Sequence, residues 1–213
     1  MDKLRGVIFD LDGVICFTDV YHFQAWKQMA DGEGIEFNER INERLRGVSR
    51  AESLEIILEK AARTYAPDEK AALMEKKNNL YRELLQQMSP QDLSPEVLQT
   101  LHDLRERGYK LAIGSSSKNA KFILDRIGLG DFFDAVSDGT NIQRSKPDPQ
   151  VFLMAAEMLE FAPSECLVVE DAEAGIDAAV AGGFHSAGIE SAREYGKTEY
   201  RLDCFQDMLQ VLE

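Results

Sequence analysis

Hydrophobic and polar positions divide this chain into stretches of different period. The first apolar run, Leu4 to Phe9, is short and β-rich and stops at Asp10-Leu11-Asp12-Gly13, which predicts a buried strand delivering its last side chains to a sheet edge. From about Thr18 to Met88 the period is helical throughout. Val20, Phe23, Trp26 and Ala30 recur at helical spacing. Ser49 followed by Glu52 predicts a capping box, ahead of a stripe of Leu54, Ile57, Leu58, Ala61, Ala62 and Tyr65. Another helix starts near Pro67 with Leu73, Leu80 and Leu84 on one face. After Ser89-Pro90 strands and helices alternate. Ser94-Pro95 opens a helix carrying Leu98, Leu101 and Leu104 that Gly108 stops. A strand follows at Lys110–Gly114, then a helix ending at Gly128, another from Asp148-Pro149, a strand at Cys166–Val169, and a helix closed by Gly182-Gly183. A short strand, Ser186–Ile189, precedes a weakly patterned tail with a helix from Phe205.

Such alternation predicts an α/β fold with a Rossmann-like, doubly wound parallel sheet. The helical stretch interrupts it, so residues 1–16 and 90–213 are read as one discontinuous core and 17–89 as an inserted all-helical cap.

In an open parallel sheet, ligands gather at the carboxyl ends of the strands. Here those ends carry Asp10 and Asp12, then Ser115, Ser116 and Ser117, then Glu170 and Asp171, and a neighbouring loop carries Lys146 between Ser145 and Pro147. Burying that many carboxylates together is unfavourable unless a hard divalent cation neutralises them. Within Asp10-x-Asp12 one carboxylate can attack phosphorus while the other handles a proton, and Gly13 permits a tight turn beneath a phosphate. Ser117, Lys118 and Asn119 stand at a helix start, where backbone N–H groups favour an anion. Blander readings exist for each: solvated acids in a turn, an acidic helix cap at Glu170-Asp171, a surface lysine at 146. Lys77 lies on the apolar face of its helix, either snorkelling or facing a cleft, and His22 and Trp26 share one face of theirs. Arg50 opposes the dipole at a helix start, which favours an anion as its partner. The acids at 31–43 and 190–203 read as solvated faces.

The 213 residues carry a formal net charge of −14, which disfavours nucleic acid and anionic membranes and also repels phosphorylated substrates. Any site for the latter must build its positive potential locally. Three cysteines without a CxxC spacing argue against a disulfide scaffold or a zinc site and fit a reducing compartment. The opening apolar run is too short for a secretion signal and no 18-residue apolar stretch follows, so the cytoplasm is the expected location.

Together FDLDGVI at 9–15, GSSSKN at 114–119, SKPDP at 145–149 and VVEDAEAGI at 168–176 resemble the four motifs of the haloacid dehalogenase superfamily. YHFQAW at 21–26, RGVSR at 46–50 and KKNNLY at 76–81 extend the resemblance, over nearly the whole chain, to its β-phosphoglucomutase family. That resemblance implies a Mg²⁺-dependent phosphomutase acting on hexose phosphates, with glucose 1,6-bisphosphate or another phosphoryl donor as primer. It implies Asp10 as nucleophile, Asp12 as general acid/base, and Ser115 and Lys146 on the transferring phosphoryl group. Mg²⁺ would be held by Asp10, the Asp12 carbonyl, Glu170 and Asp171. Arg50 would take the second phosphate, and Gly47, Val48 and Ser49, with Trp26 nearby, would line the sugar. Ser116, Ser117, Lys118 and Asn119 would complete the phosphate loop. Thr18 would hydrogen-bond Asp12 in one hinge state, and His22 with Lys77 would couple cap closure to binding. Arg46, Phe17 and Ser116 depart from the family's usual lysine, acid and alanine. A sugar-phosphate phosphatase and a catalytically silent binding protein on the same fold are the rival readings, and a monomer is expected.

Overall fold

A computed structural model describes residues 3–45 and 49–212. The predicted positions Arg46, Gly47 and Val48 therefore lie outside the described residues. The chain divides into two compact units, one of residues 1–17 and 89–213 and the other of Thr18–Met88.

The first unit is built on a parallel sheet. Its strands are β1 (Gly6–Phe9), β2 (Lys110–Gly114), β3 (Ala135–Ser137), β4 (Cys166–Glu170), β5 (His185–Gly188) and β6 (Tyr200–Arg201), in spatial order β3-β2-β1-β4-β5-β6. All are parallel. β1 is central, with Gly6 in register with both Lys110 and Cys166. All four of its residues are buried, as a strand covered on both faces requires, and this explains its unbroken apolar run. On one face Ile8, Ala112 and Val168 pack with Val151, Phe152 and Ala155 of α7 (Gln150–Leu159) and Ala178 of α8 (Glu173–Gly182). The remaining helices are α5 (Pro95–Glu106), α6 (Ala120–Arg126) and α9 (Met208–Val211).

The second unit contains α1 (Asp19–Gly32), α2 (Glu39–Glu43), α3 (Arg50–Leu58) and α4 (Pro67–Leu85). Its core joins Trp26, Met29, Ala30, Ile35, Phe37, Ile41, Leu54, Ile57 and Leu73.

The α/β class and parallel sheet agree with the sequence reading, but several local expectations change. α3 stops at Leu58, so Ala61, Ala62 and Tyr65 lie beyond it; Tyr65 instead reaches Glu33 through its hydroxyl at 3.3 Å. The buried face of α4 is Leu73, Lys77, Tyr81 and Leu85, an i+4 ladder that leaves Leu80 and Leu84 at its edge. Val20 and Leu98 point outward, and Val97 takes the core position expected of Leu98. The strand β5 begins one residue earlier than expected, and β3, β6 and α2 have no counterpart in the sequence reading.

Candidate functional site

Each strand end contributes a different group. β1 stops at Phe9, but the N–H of Asp10 still donates to Val169 at 2.9 Å, so Asp10 leaves the sheet in a fixed direction. Asp10 and Asp12 are thus presented by a turn rather than by alternation along a strand. The turn is closed by Gly13 N–H to the Cys16 carbonyl at 2.8 Å and by Ile15 N–H to Leu11 at 3.0 Å. Leu11 and Ile15 are buried beneath it, Asp10 is buried and Asp12 is half-buried. Gly13 has φ +86, and a Cβ there would overlap the Asp171 carboxylate. Both facts reserve the position for glycine.

Asp10, Glu170 and Asp171 each offer an oxygen within 4.8 Å of the other two. Asp12, also expected at this edge, does not place its carboxylate in that cluster. Lys146 donates to Asp10, and to Glu170 at 2.5 Å, while its Nζ lies 4.7 Å from the centre of the Phe152 ring. The second Glu170 oxygen accepts the N–H groups of Asp171 at 3.0 Å and Ala172 at 3.2 Å.

One ammonium does not neutralise three carboxylates. Burial first, then the charge of Asp10, pushes Glu170 up to about 7 against the pull of Lys146. Burial, then Asp10 and Glu170, pushes Asp171 up to about 8. Burial alone would lower the pKa of Lys146, but Asp10 and Glu170 outweigh it and hold the group above its usual range. Three hard oxygen donors held together and partly protonated form a donor set that fits a divalent cation such as Mg²⁺, which keeps water in several positions and needs few protein ligands.

The loop after β2 brings a hydroxyl row beside this set. Ser115 is buried, and its oxygen accepts the Ser117 N–H at 3.2 Å, which leaves its own proton free to donate to an anion. The Ser117 oxygen likewise accepts the Asn119 N–H at 3.2 Å. Two amides of the loop ahead of α6, those of Ser117 and Asn119, therefore bond the loop's own side chains. Asn119 is buried, Lys118 exposed, and the Ser116 hydroxyl buried without a hydrogen-bond partner.

In the helical unit the remaining predicted residues form a second group. Ser49 and Glu52 make the capping box of α3, with Ser49 N–H to Glu52 at 2.9 Å and Glu52 N–H to the Ser49 hydroxyl at 3.3 Å. Ser49 is thereby committed to the helix start. Arg50, next in the chain, donates to Asn78 at 2.9 Å. Lys77 is buried with its Nζ 2.8 Å from His22 Nδ1, and lies 4.9 and 4.5 Å from the ring centres of Trp26 and Tyr81. An ammonium only donates, so Nδ1 accepts and the His22 ring is neutral. Burial, then the charges of Lys77 and Arg50, hold the His22 pKa well below its ordinary value. Tyr81 stacks on His22 at 4.0 Å and donates to the Thr18 hydroxyl at 3.1 Å.

Two contributors escaped the sequence reading. A Cβ at Gly175 would overlap the Glu170 carboxylate, so this glycine makes room for it. Its signal is a glycine in the first turn of a helix, where propensity alone disfavours it. The loop 189–198, read as a solvated acidic face, hydrogen-bonds the backbone of Glu170 and Asp171: Ile189 N–H reaches Glu170 at 2.9 Å, and Ala192 N–H reaches Asp171 at 3.0 Å.

The chain is similar to known proteins over most of its length. The chain is 45% identical over 188 residues to the β-phosphoglucomutase of Bacillus subtilis, covering 87% of this chain and 83% of that one. It is 31% identical over 196 residues to a phosphorylated carbohydrates phosphatase of Thermotoga maritima, covering 91% and 85%. A crystal structure of β-phosphoglucomutase from Clostridium difficile superposes with a TM-score of 0.88 at 35% identity, covering 98% of this chain and 96% of that one. Residues 4–183 match the haloacid dehalogenase-like hydrolase model, a span that begins just before β1 and ends with Gly183 after α8. The acid cluster and its lysine thus sit on the scaffold of an enzyme family, and this chain belongs to the haloacid dehalogenase-like hydrolases.

Proposed function

We propose that the chain is a phosphomutase interconverting β-D-glucose 1-phosphate and glucose 6-phosphate through an aspartyl phosphate on Asp10 and a glucose 1,6-bisphosphate intermediate. The observation that carries the mutase reading is the cationic group of the helical unit. Lys77 is buried against a neutral His22, and Arg50 is joined to the next residue of the same helix, Asn78. A mutase must hold a second phosphate while the first is transferred, a role suited to the planar Arg50 guanidinium.

The Asp10 carboxylate attacks phosphorus, and the bond from phosphorus to the donor oxygen breaks as the new acyl-phosphate bond forms. Lys146 and the Ser115 hydroxyl hold the phosphoryl oxygens in line, so positioning and charge stabilisation provide most of the acceleration. Mg²⁺ held by Asp10, Glu170, Asp171 and the Asp12 carbonyl would neutralise charge that develops on those oxygens. Asp12 takes the proton of the accepting sugar hydroxyl and returns it in the reverse half-reaction. Arg50 retains the other phosphate, His22 with Lys77 couples cap closure to binding, and Ser49, with Trp26 nearby, borders the sugar ring. A bisphosphate or another phosphoryl donor primes Asp10. The working form is a cytoplasmic monomer acting on small hexose phosphates.

A sugar-phosphate phosphatase is the alternative, because water can also attack an aspartyl phosphate and the Thermotoga maritima relative is described as a phosphatase. Incubation with β-glucose 1-phosphate, a trace of bisphosphate and Mg²⁺ separates the two. Glucose 6-phosphate should accumulate well ahead of free phosphate; the reverse order assigns the chain to the phosphatases.

A further inference from the structure

The loop that follows β5 runs back to the acid cluster and grips one of its members by the backbone. The Ser191 hydroxyl donates to the Asp171 carbonyl at 2.6 Å, and the Ala192 N–H donates to the same oxygen at 3.0 Å. One residue earlier, Ile189 N–H bonds the Glu170 carbonyl at 2.9 Å. Reaching this position requires a turn with Glu190 at φ +51, in the left-handed region that residues bearing a side chain rarely adopt. The loop is also tied down from outside. The Thr198 hydroxyl donates to the Ala192 carbonyl at 2.7 Å, while the Tyr195 hydroxyl at 3.0 Å and the Lys197 ammonium at 2.6 Å both donate to Asp177 of α8. Gly188 completes the fit, since a Cβ there would overlap the Ala192 carbonyl.

Asp171 is consequently held at both ends of its backbone. Glu170 accepts its N–H, and the loop donates twice to its carbonyl. Between these anchors its carboxylate is pressed against Gly13 and lies within 4.8 Å of Asp10 and Glu170. A shift of the Asp171 main chain would carry that carboxylate away from its two partners. We propose that Ser191 is a positioning residue for Asp171, acting through the carbonyl to keep the carboxylate in place for a divalent cation. The inference rests on the metal role proposed above for Asp171. Groups that orient metal ligands in this way commonly change affinity by about 10–100-fold when removed.

The test compares the intact chain with Ser191→Ala, Ser191→Thr and Asp171→Asn. Mg²⁺ binding is read by titration calorimetry and by the Mg²⁺-induced rise in melting temperature, neither of which needs turnover. Ser191→Ala should raise the apparent dissociation constant for Mg²⁺ about tenfold, with the melting temperature of the metal-free protein unchanged, and Ser191→Thr should restore the affinity. Unchanged Mg²⁺ affinity in Ser191→Ala, alongside its loss in Asp171→Asn, overturns the role of Ser191 and leaves the metal site standing. A lower metal-free melting temperature with unchanged affinity also overturns it, because the hydroxyl would then serve only the loop. An Asp171→Asn that binds Mg²⁺ like the intact chain removes the metal reading and this inference together.

Discussion

Asp10 stands beside one cation and two acids: Lys146 donates to it, and Glu170 and Asp171 each offer an oxygen within 4.8 Å. Replacing Asp10 by asparagine removes the proposed nucleophile and should lower turnover by at least ~10³-fold. The same substitution removes one of the charges that raise Glu170 and Asp171, so both should titrate lower. That links catalysis to a stability measurement. In the metal-free chain these two acids have folded pKa values, about 7 and about 8, above their ordinary 4.5 and 3.8. Between the ordinary and folded values the folded chain binds more protons than the unfolded one. The stability these two groups contribute is therefore fully present below about pH 4 and is lost as pH rises to about 8. Bound Mg²⁺ displaces those protons, so its stabilising effect should grow over the same interval. Melting temperatures in chelator and in Mg²⁺ across this range check both signs, and Asp10→Asn should flatten the chelator curve. A chelator curve that rises with pH would contradict the crowding of carboxylates described here. The strand-end acids and Lys146 could be read from sequence because each follows a strand or precedes a proline. Ser191 could not, since its partner Asp171 becomes a neighbour only after β5 pairs with β4, and Gly175 shows only as a glycine where helix propensity disfavours it.

At the level of elements, α4 shows how a charged residue takes a core position. Its buried ladder is Leu73, Lys77, Tyr81 and Leu85, and only the second is ionic. An ammonium loses hydration when buried, and on the proposed reading Lys77 serves binding rather than stability. Lys77→Met should therefore keep or raise the melting temperature while weakening sugar-phosphate binding, seen as a higher KM. Leu85→Ala, one turn after Tyr81, should instead destabilise the chain by about 2–5 kcal/mol in denaturant unfolding, because it opens a cavity in a closed core. If Lys77→Met proves as destabilising as Leu85→Ala, the lysine is structural. Helical periodicity made this element legible, and the alternation after Pro90 made the parallel sheet legible. The three residues of β3 and two of β6 are too few to display a period. The apolar stripe after Ser49 ran past the true end of α3 because Ala61 and Tyr65 still pack against the core of the helical unit after the helix has stopped at Leu58.

At the scale of the whole molecule the acidic balance opposes the proposed substrate. A chain of net charge −14 repels a hexose phosphate from a distance, whereas on the proposed reading Lys146 and Arg50 attract it close by. Salt acts differently on the two. The screening length is about 30 Å at 0.01 M and about 8 Å at 0.15 M, so added salt first erases the diffuse repulsion. Attraction at contact distance, between partly desolvated groups, survives longer. The rate constant for productive encounter, read as kcat/KM with Mg²⁺ held saturating, should accordingly rise when ionic strength increases from about 0.01 to about 0.15 M. Proteins that steer anionic ligands with a basic surface do the opposite. A monotonic fall over this interval would mean that the local cations dominate at long range and that the acidic surface does not shield them. Reversing exposed acids far from the site, such as Glu106 and Glu157, should reduce the salt effect without altering kcat. The residues that touch the sugar phosphate would still be the same, and only the field through which it approaches would differ.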